Sequence, residues 1–172
     1  MSKLKVYFAS SMTGRSGKEL VEQSKEVAFY SWCYDVEALD PIMSENVKAT
    51  NEPLHNGGDL LKQYWARDKE MIREAHVLID VTGPAKSEGV SHEIALARYH
   101  LHKPVIRVWP NLGSSIARLE DDLIVETLED AVKLAVERWG TPKKRLKWKW
   151  YIFKKSYLNL LKTRFIWFVD WV

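Results

Sequence analysis

Two carboxylates occupy positions that ordinary folding does not ask for. Asp68 falls in line with Leu61, Trp65, Ile72 and Ala75, at spacings that put all five on one stripe of a helix. A carboxylate on an apolar stripe is costly to bury unless it meets a partner or a polar cavity. The plain explanation is that it caps a loop or pairs with a nearby Arg or Lys; the other is that it serves a site. Glu93 follows Ser87-Glu88-Gly89-Val90-Ser91-His92 and is expected in the first turn of a helix. An acid there can simply complement the helix dipole, a contribution of roughly 0.3–1 kcal/mol. The small residues Ser87, Gly89 and Ser91, however, let a ligand approach backbone N–H groups at a helix N-terminus.

A third segment offers binding rather than reaction chemistry. Ser10-Ser11-Met12-Thr13-Gly14-Arg15-Ser16-Gly17 supplies hydroxyls, a pliable backbone and one guanidinium, which suit a phosphate or a sugar hydroxyl. No Gly-Lys-Ser/Thr follows at the spacing of a P-loop, and a third glycine for a dinucleotide fingerprint is missing. The five histidines, at 55, 76, 92, 100 and 102, form no paired ligand motif, so neither a metal nor another cofactor is expected. Ser91 and His92 are adjacent on a helix and cannot face each other as a hydrolase pair. The single cysteine, Cys33, excludes an intrachain disulfide framework and reads as a core residue of a buried strand.

The elements that must position these residues alternate between strand and helix. Residues 4–9 form a short apolar run, 19–32 can form a helix, and 33–39 alternate like a second strand. Asp40-Pro41 is expected to stop regular structure, and 41–58 shows no period. Residues 59–75 are helical by spacing, 76–82 a β-branched strand, 90–101 a helix, 104–109 a strand and 122–126 a fifth strand. Thr127 can cap a last helix, with Asp130 three residues on and Gly140 ending it. This order predicts an α/β three-layer sandwich with a mainly parallel, Rossmann- or flavodoxin-like sheet. Ligands in such sheets bind beyond the carboxyl ends of the strands, which singles out 10–17, 40–58 and 83–93.

Composition bounds the rest. With 46% hydrophobic and 28% charged residues, the 172-residue chain is that of a globular protein, not a disordered one. It carries no run of 18 apolar residues and no apolar signal core, so a cytoplasmic location is the expectation. The net charge of +3 hides a division. Residues 141–172 hold nine basic groups against one acid, a charge of +8. The first 140 hold 17 basic against 22 acidic groups, or −5. Nine of the 20 aromatic residues also lie in the tail. Two parts are expected, an α/β domain over 1–140 and a basic, Trp-rich extension over 141–172.

Several of these segments together resemble the nucleoside 2-deoxyribosyltransferase-like superfamily. They are the first strand with Tyr7, the loop from Ser10 to Gly17, Asp40-Pro41, and the helix from Asp68 into the strand at 76–82. The most specific is Ser87-x-Gly89-Val90-x-x-Glu93, followed by Ala97 and Lys103-Pro104-Val105-Ile106. The superfamily includes base-exchanging transferases, hydrolases of 2′-deoxynucleoside 5′-monophosphates, and phage and bacterial relatives whose wording Met12-Thr13-Gly14 is similar to. The resemblance implies that Glu93 is a nucleophile at the anomeric carbon, oriented by Tyr7, while Asp68 assists departure of the base or positions the sugar. It further implies that Ser11, Ser87 and the backbone near Gly14 hold the 5′ end, with Ser10, Thr13, Arg15, Asp40 and Gly89 around them. Two displacements at one carbon would retain configuration. The first expectation is therefore hydrolysis of a (deoxy)nucleoside 5′-monophosphate. The alternatives are base exchange between nucleosides and a non-catalytic nucleotide-binding or sensing module. A homo-oligomer, dimer or higher, is also implied, since relatives often complete the site from a neighbour. Where the family pattern has glycine two residues after the nucleophile, this chain has Ala95, whose methyl group would press the helix toward the sheet.

The tail stands outside the resemblance. Its apolar residues at 146, 150, 153, 157, 161, 165, 168 and 172 keep a helical spacing, and several lysines lie off that stripe. Packing within or between subunits is the leading expectation, a membrane surface the second and nucleic acid the last.

Overall fold

A computed structural model describes residues 2–12, 14–44, 58–82, 87–109 and 123–141, with backbone alone for 58–62. Along the chain run β1 (Leu4–Ala9), α1 (Gly17–Cys33), β2 (Val36–Leu39), α2 (Pro41–Ser44), α3 (Gly58–Glu74) and β3 (Val77–Asp80). Then follow α4 (Glu88–Ala95), a π-helical turn (Leu96–His100), β4 (Val105–Val108), β5 (Leu123–Val125) and α5 (Leu128–Trp139). The five strands form one sheet in the order β2-β1-β3-β4-β5, and every neighbouring pair is parallel. The expected α/β layering therefore holds. The order reverses between β1 and β3, so the ligand edge of such a sheet lies beyond Ala9 and Asp80, which are paired in register.

Strand alternation divides the core into two faces. Val6, Phe8, Val77, Ile79 and Ile106 pack against Val27 of α1 and against Leu128, Ala131, Val132, Ala135 and Trp139 of α5. Tyr7, Ala9, Leu78 and Val105 point the other way and pack against Ile72 of α3, Ala75, and Val90, Ile94 and Ala97 of α4 and its π-helical turn. The second face carries the polar groups singled out above.

Local chemistry sets the helix limits. Ser16 and Glu19 form a reciprocal capping box, with Ser16 N–H donating to Glu19 Oε2 at 2.8 Å, so α1 starts at Gly17. Cys33 is the last residue of α1 and is exposed, which corrects the reading of a core strand residue. The reason is Asp35, whose φ of +53° interrupts the extended run, so β2 begins only at Val36. Asp40-Pro41 starts a helix rather than ending structure. Asp40 Oδ1 accepts from Ile42 N–H at 2.9 Å, and Pro41 sits at the first helical position, where no N–H is needed. The rest of the irregular segment, 45–57, lies outside the described residues.

The helix expected from Val90 starts at Glu88, because Ser87 Oγ accepts from Val90 N–H and caps it. Glu93 consequently sits in the second turn, not the first. The single α-helix expected through Leu101 changes to a π-helical turn after Ala95, with Leu101 N–H donating to Leu96 C=O at 3.0 Å. Ala95 is half-buried at that change of pitch. Lys103 closes α3: its ammonium donates to the carbonyls of Ile72 and Ala75, both at 2.6 Å, and to that of Arg73. A cation at a helix C-terminus is the favourable sign. Thr127 caps α5 by accepting from Asp130 N–H at 3.1 Å, as its spacing predicts. Among the described residues no helix is long and apolar enough to cross a membrane. Residues 142–172, on which the packing, membrane and nucleic-acid readings fall, lie outside the described residues.

Candidate active site

Three elements bring Tyr7, Asp68 and Glu93 to one side of the sheet. β1 turns Tyr7 away from the α1–α5 face and buries it completely. On α3, Asp68 shares the inward side with Ile72 and Ala75, and it is 6% exposed. On α4, Val90, Glu93, Ile94 and Ala97 form the inward stripe, which leaves Glu93 7% exposed.

Their electrostatics are coupled. Burial, helped by the negative charges of Asp68 and Asp80, pushes the Glu93 carboxyl up to about 8. Tyr7, hydrogen-bonding toward the ionised form, acts in the opposite direction and is outweighed. The phenol of Tyr7 is itself held well above its ordinary range by burial and by the Glu93 and Asp68 charges. Neither the Tyr7 hydroxyl nor Glu93 Oε2 completes a hydrogen bond with full geometry among the described residues. Buried polar atoms without partners are rare in proteins.

Asp68 has the charged partner that a carboxylate on an apolar stripe calls for. Arg67 Nη2 lies 3.0 Å from its Oδ1, so the ion pair exists. Burial nevertheless outweighs the guanidinium, and the carboxyl is raised. A third acid, Asp80, escaped the sequence reading. It ends β3 on the same face as Tyr7, is buried, and accepts from Thr82 N–H at 2.9 Å. Arg107 Nε of β4 stands 4.0 Å from it, and burial raises its carboxyl too. The available signal was an acid closing an apolar strand on the predicted ligand edge. Nearby, the rings of Trp65 on α3 and His92 on α4 lie 6.4 Å apart between centroids, tilted by 54°.

The first loop is organised by a residue the sequence did not single out, Gln23 of α1. Its Oε1 accepts from Ser10 Oγ at 2.6 Å and from Arg15 Nη1 at 2.7 Å, while its Nε2 donates to the carbonyl of Val81 at 2.9 Å. The loop is thereby tied to the residue after β3. Ser11 is buried, and Gly14 adopts φ +79°, a conformation that favours glycine. Thr13 lies outside the described residues. Asp40 is buried and accepts from Ser24 Oγ at 2.6 Å and Ile42 N–H, so its hydrogen bonds join α1 to α2 rather than to the Glu93 cluster. Ser87 is the cap of α4. At Gly89 an added Cβ would meet only Ser87 Oγ, at 3.9 Å, so the fold itself does not require glycine there. No group of three or more His, Cys, Asp or Glu could hold a metal ion among the described residues.

Comparison with solved structures places this architecture. A 2-deoxyribosyltransferase from the psychrotolerant bacterium Bacillus psychrosaccharolyticus superposes with a TM-score of 0.54 at 20% identity, over 74% of this chain and 90% of that one. A conserved protein from Enterococcus faecalis V583 superposes with a TM-score of 0.55 at 16% identity, over 80% and 99% of the two chains. A CMP N-glycosidase from Clostridium botulinum matches more loosely, with a TM-score of 0.46 at 15% identity over 76% and 96%. No protein-family model matches the chain, and neither does any curated protein. The chain has the nucleoside deoxyribosyltransferase-like fold.

Proposed function

We propose that the protein cleaves the N-glycosidic bond of a (deoxy)nucleoside 5′-monophosphate, with Glu93 as nucleophile and water as final acceptor. The observation that carries this reading is the buried cluster of Tyr7, Asp68 and Glu93 under the ligand edge of the sheet. At neutral pH Glu93 holds a proton, and attack requires it to pass that proton on. Asp68, itself raised by burial, is the neighbouring acceptor, and from Asp68 the proton goes to the departing base. The C1′–N bond breaks as the bond from C1′ to the Glu93 oxygen forms. Asp68, now ionised, takes a proton from water, whose oxygen displaces Glu93 and retains configuration. Tyr7 holds the nucleophile in orientation.

Ser11, Ser87 and the backbone around Gly14 bind the 5′ phosphate, with Ser10, Thr13 and Gly89 beside them. Arg15 is preset for that task by its bond to Gln23. The absence of a side chain at Gly89, where the fold tolerates one, fits close approach by a ligand. Asp40 supports this edge from the α1–α2 junction. A second reading, base exchange, keeps the same first step and replaces water by another base. It is favoured by the likeness to the 2-deoxyribosyltransferase. The working unit is proposed to be a homo-oligomer, which light scattering on the full chain tests.

Chromatography of products from a panel of nucleosides and 5′-monophosphates, each with and without a second free base, tests the reading. Wild type should release free base from a monophosphate, and Glu93→Ala should lower that rate by about 10³-fold or more. New nucleosides formed with the added base would select the transferase. Binding without turnover in wild type would leave a nucleotide-sensing module instead.

A further inference from the structure

The outer surface of α1 carries an aromatic patch that the rest of the described chain leaves open. Trp32 is 80% exposed and Phe29 57%. Phe29 meets Tyr30 edge-on with ring centroids 5.2 Å apart, and the lone thiol, Cys33, is exposed beside them. Single exposed apolar residues are ordinary, but two large rings within one turn at a helix end form a patch.

The surroundings of the patch are mainly acidic, and the nearby Lys3 is already paired with Asp35 at 2.6 Å. Glu22 and Glu26 are exposed and lie seven and three residues before Phe29, on its side of the helix, with Lys25 the one cation within a turn. Tyr34 donates to Glu129 at 2.9 Å, which brings the acidic first turn of α5, Glu129 and Asp130, alongside the end of α1. The last turn of α1 has no basic residue, so the negative end of its dipole lacks a cation of its own. A partner for this surface needs rings and positive charge together.

We infer that the patch is the docking site of the chain's own residues 142–172. That segment holds nine basic residues, one acid and nine aromatic residues, so it matches the patch in both respects. The domain that carries the patch has a charge of −5, and the tail +8. Opposite charges of this size draw the two together. The tether also allows it. The described chain ends at Thr141, directly after α5, which lies on the same sheet face as α1. The twelve residues of α5 span about 18 Å, so a 31-residue segment is long enough to return to α1 in either helical or extended form. Docking covers Phe29 and Trp32 and places lysines or arginines against Glu22, Glu26 and the end of α1. It does not depend on the catalytic reading.

Cys33, the sole cysteine of the chain, is the probe. A thiol-linked benzophenone on the full-length protein is irradiated, and the cross-linked peptides are identified by mass spectrometry. Isotope-labelled and unlabelled chains are mixed beforehand, so that contacts between copies carry both isotopes. The expected result is cross-links from Cys33 into 142–172 within one chain. They should fall by about fivefold or more in ~0.5 M salt and in the Glu22→Lys/Glu26→Lys variant, because screening and charge reversal both weaken the attraction. Phe29→Ser/Trp32→Ser, at exposed positions, should reduce them similarly while circular dichroism stays unchanged. Cross-links of mixed isotope would assign the patch to a second copy and overturn the inference. So would cross-links that avoid the tail, or that ignore both salt and the patch variants.

Discussion

The two faces of the sheet are built from the same strands and solve opposite problems. On the α1–α5 face, Val6, Phe8, Val77, Ile79 and Ile106 join one apolar cluster, whose burial is stabilising. On the α3–α4 face, the same alternation delivers Tyr7 and Asp80, and the helices add Asp68 and Glu93. Burying those carboxyls costs free energy that the apolar face must offset. Natural proteins tolerate such local conflict where a site needs it. The contrast between Phe8 and Tyr7, adjacent on one strand, therefore separates what holds the fold from what the fold is for.

The largest expected effect tests the first half of that contrast. Phe8 is 1% exposed within the apolar core, and Phe8→Ala should cost about 3–5 kcal/mol. Urea unfolding at neutral pH measures it. A loss below about 1 kcal/mol, the range of surface changes, would mean that the α1–α5 face is not the main source of stability.

Glu93→Gln tests the second half, and here a substitution in the core should stabilise. The carboxyl is held up to about 8, against an ordinary value near 4.5. In the unfolded chain it ionises above roughly 4.5; in the folded chain it keeps its proton until about 8. Stability is therefore full below about pH 4.5, declines between the two values and is lowest above 8. Glutamine does not titrate. The variant should match wild type near pH 4 and exceed it at pH 9 by a margin on the order of 3–5 kcal/mol. Unfolding curves at the two pH values decide the point, and equal stabilities at pH 9 would show that Glu93 is not strained by its burial.

How much of this was readable depends on which physics positions each residue. Helical periodicity exposes Asp68 because a single charged residue breaks an otherwise apolar stripe, and the cap at Thr127 depends on neighbours three residues away. Both are local. Asp80 is harder, since all four residues of β3 are buried and no alternation distinguishes its faces. Only the register Ala9–Asp80 and the position of β1 reveal that it stands with Tyr7. Gln23 is harder still. On α1 it looks like one more polar residue of an amphipathic helix, and its role comes from Ser10, Arg15 and Val81, up to 58 residues away. Cys33 was misread because the alternating pattern of 33–39 runs through Asp35, whose left-handed backbone no hydropathy pattern records. The fold's layers are thus written in periodicity, while the wiring of the site is written in contacts between distant segments.

The smallest expected effect sharpens the comparison most, because Tyr7→Phe removes one oxygen and leaves the ring. The hydroxyl completes no full hydrogen bond among the described residues, so its loss should change stability by less than about 1 kcal/mol. Its influence on Glu93 has a definite sign. Tyr7 favours the ionised carboxylate, and without that hydroxyl the proton is held more tightly. In the proposed cycle the proton on Glu93 must reach the departing base through Asp68, so kcat/KM for base release falls as pH rises through a midpoint near 8 in wild type, since that ratio reports the free enzyme. In Tyr7→Phe the midpoint should move upward, with the plateau below it lowered by about tenfold or less through looser orientation. A merely structural tyrosine would lower the rate equally at every pH and leave the midpoint where it was. A midpoint that moves downward would place the proton on a group other than Glu93, and the role given to the α3–α4 face would have to be reassigned with it.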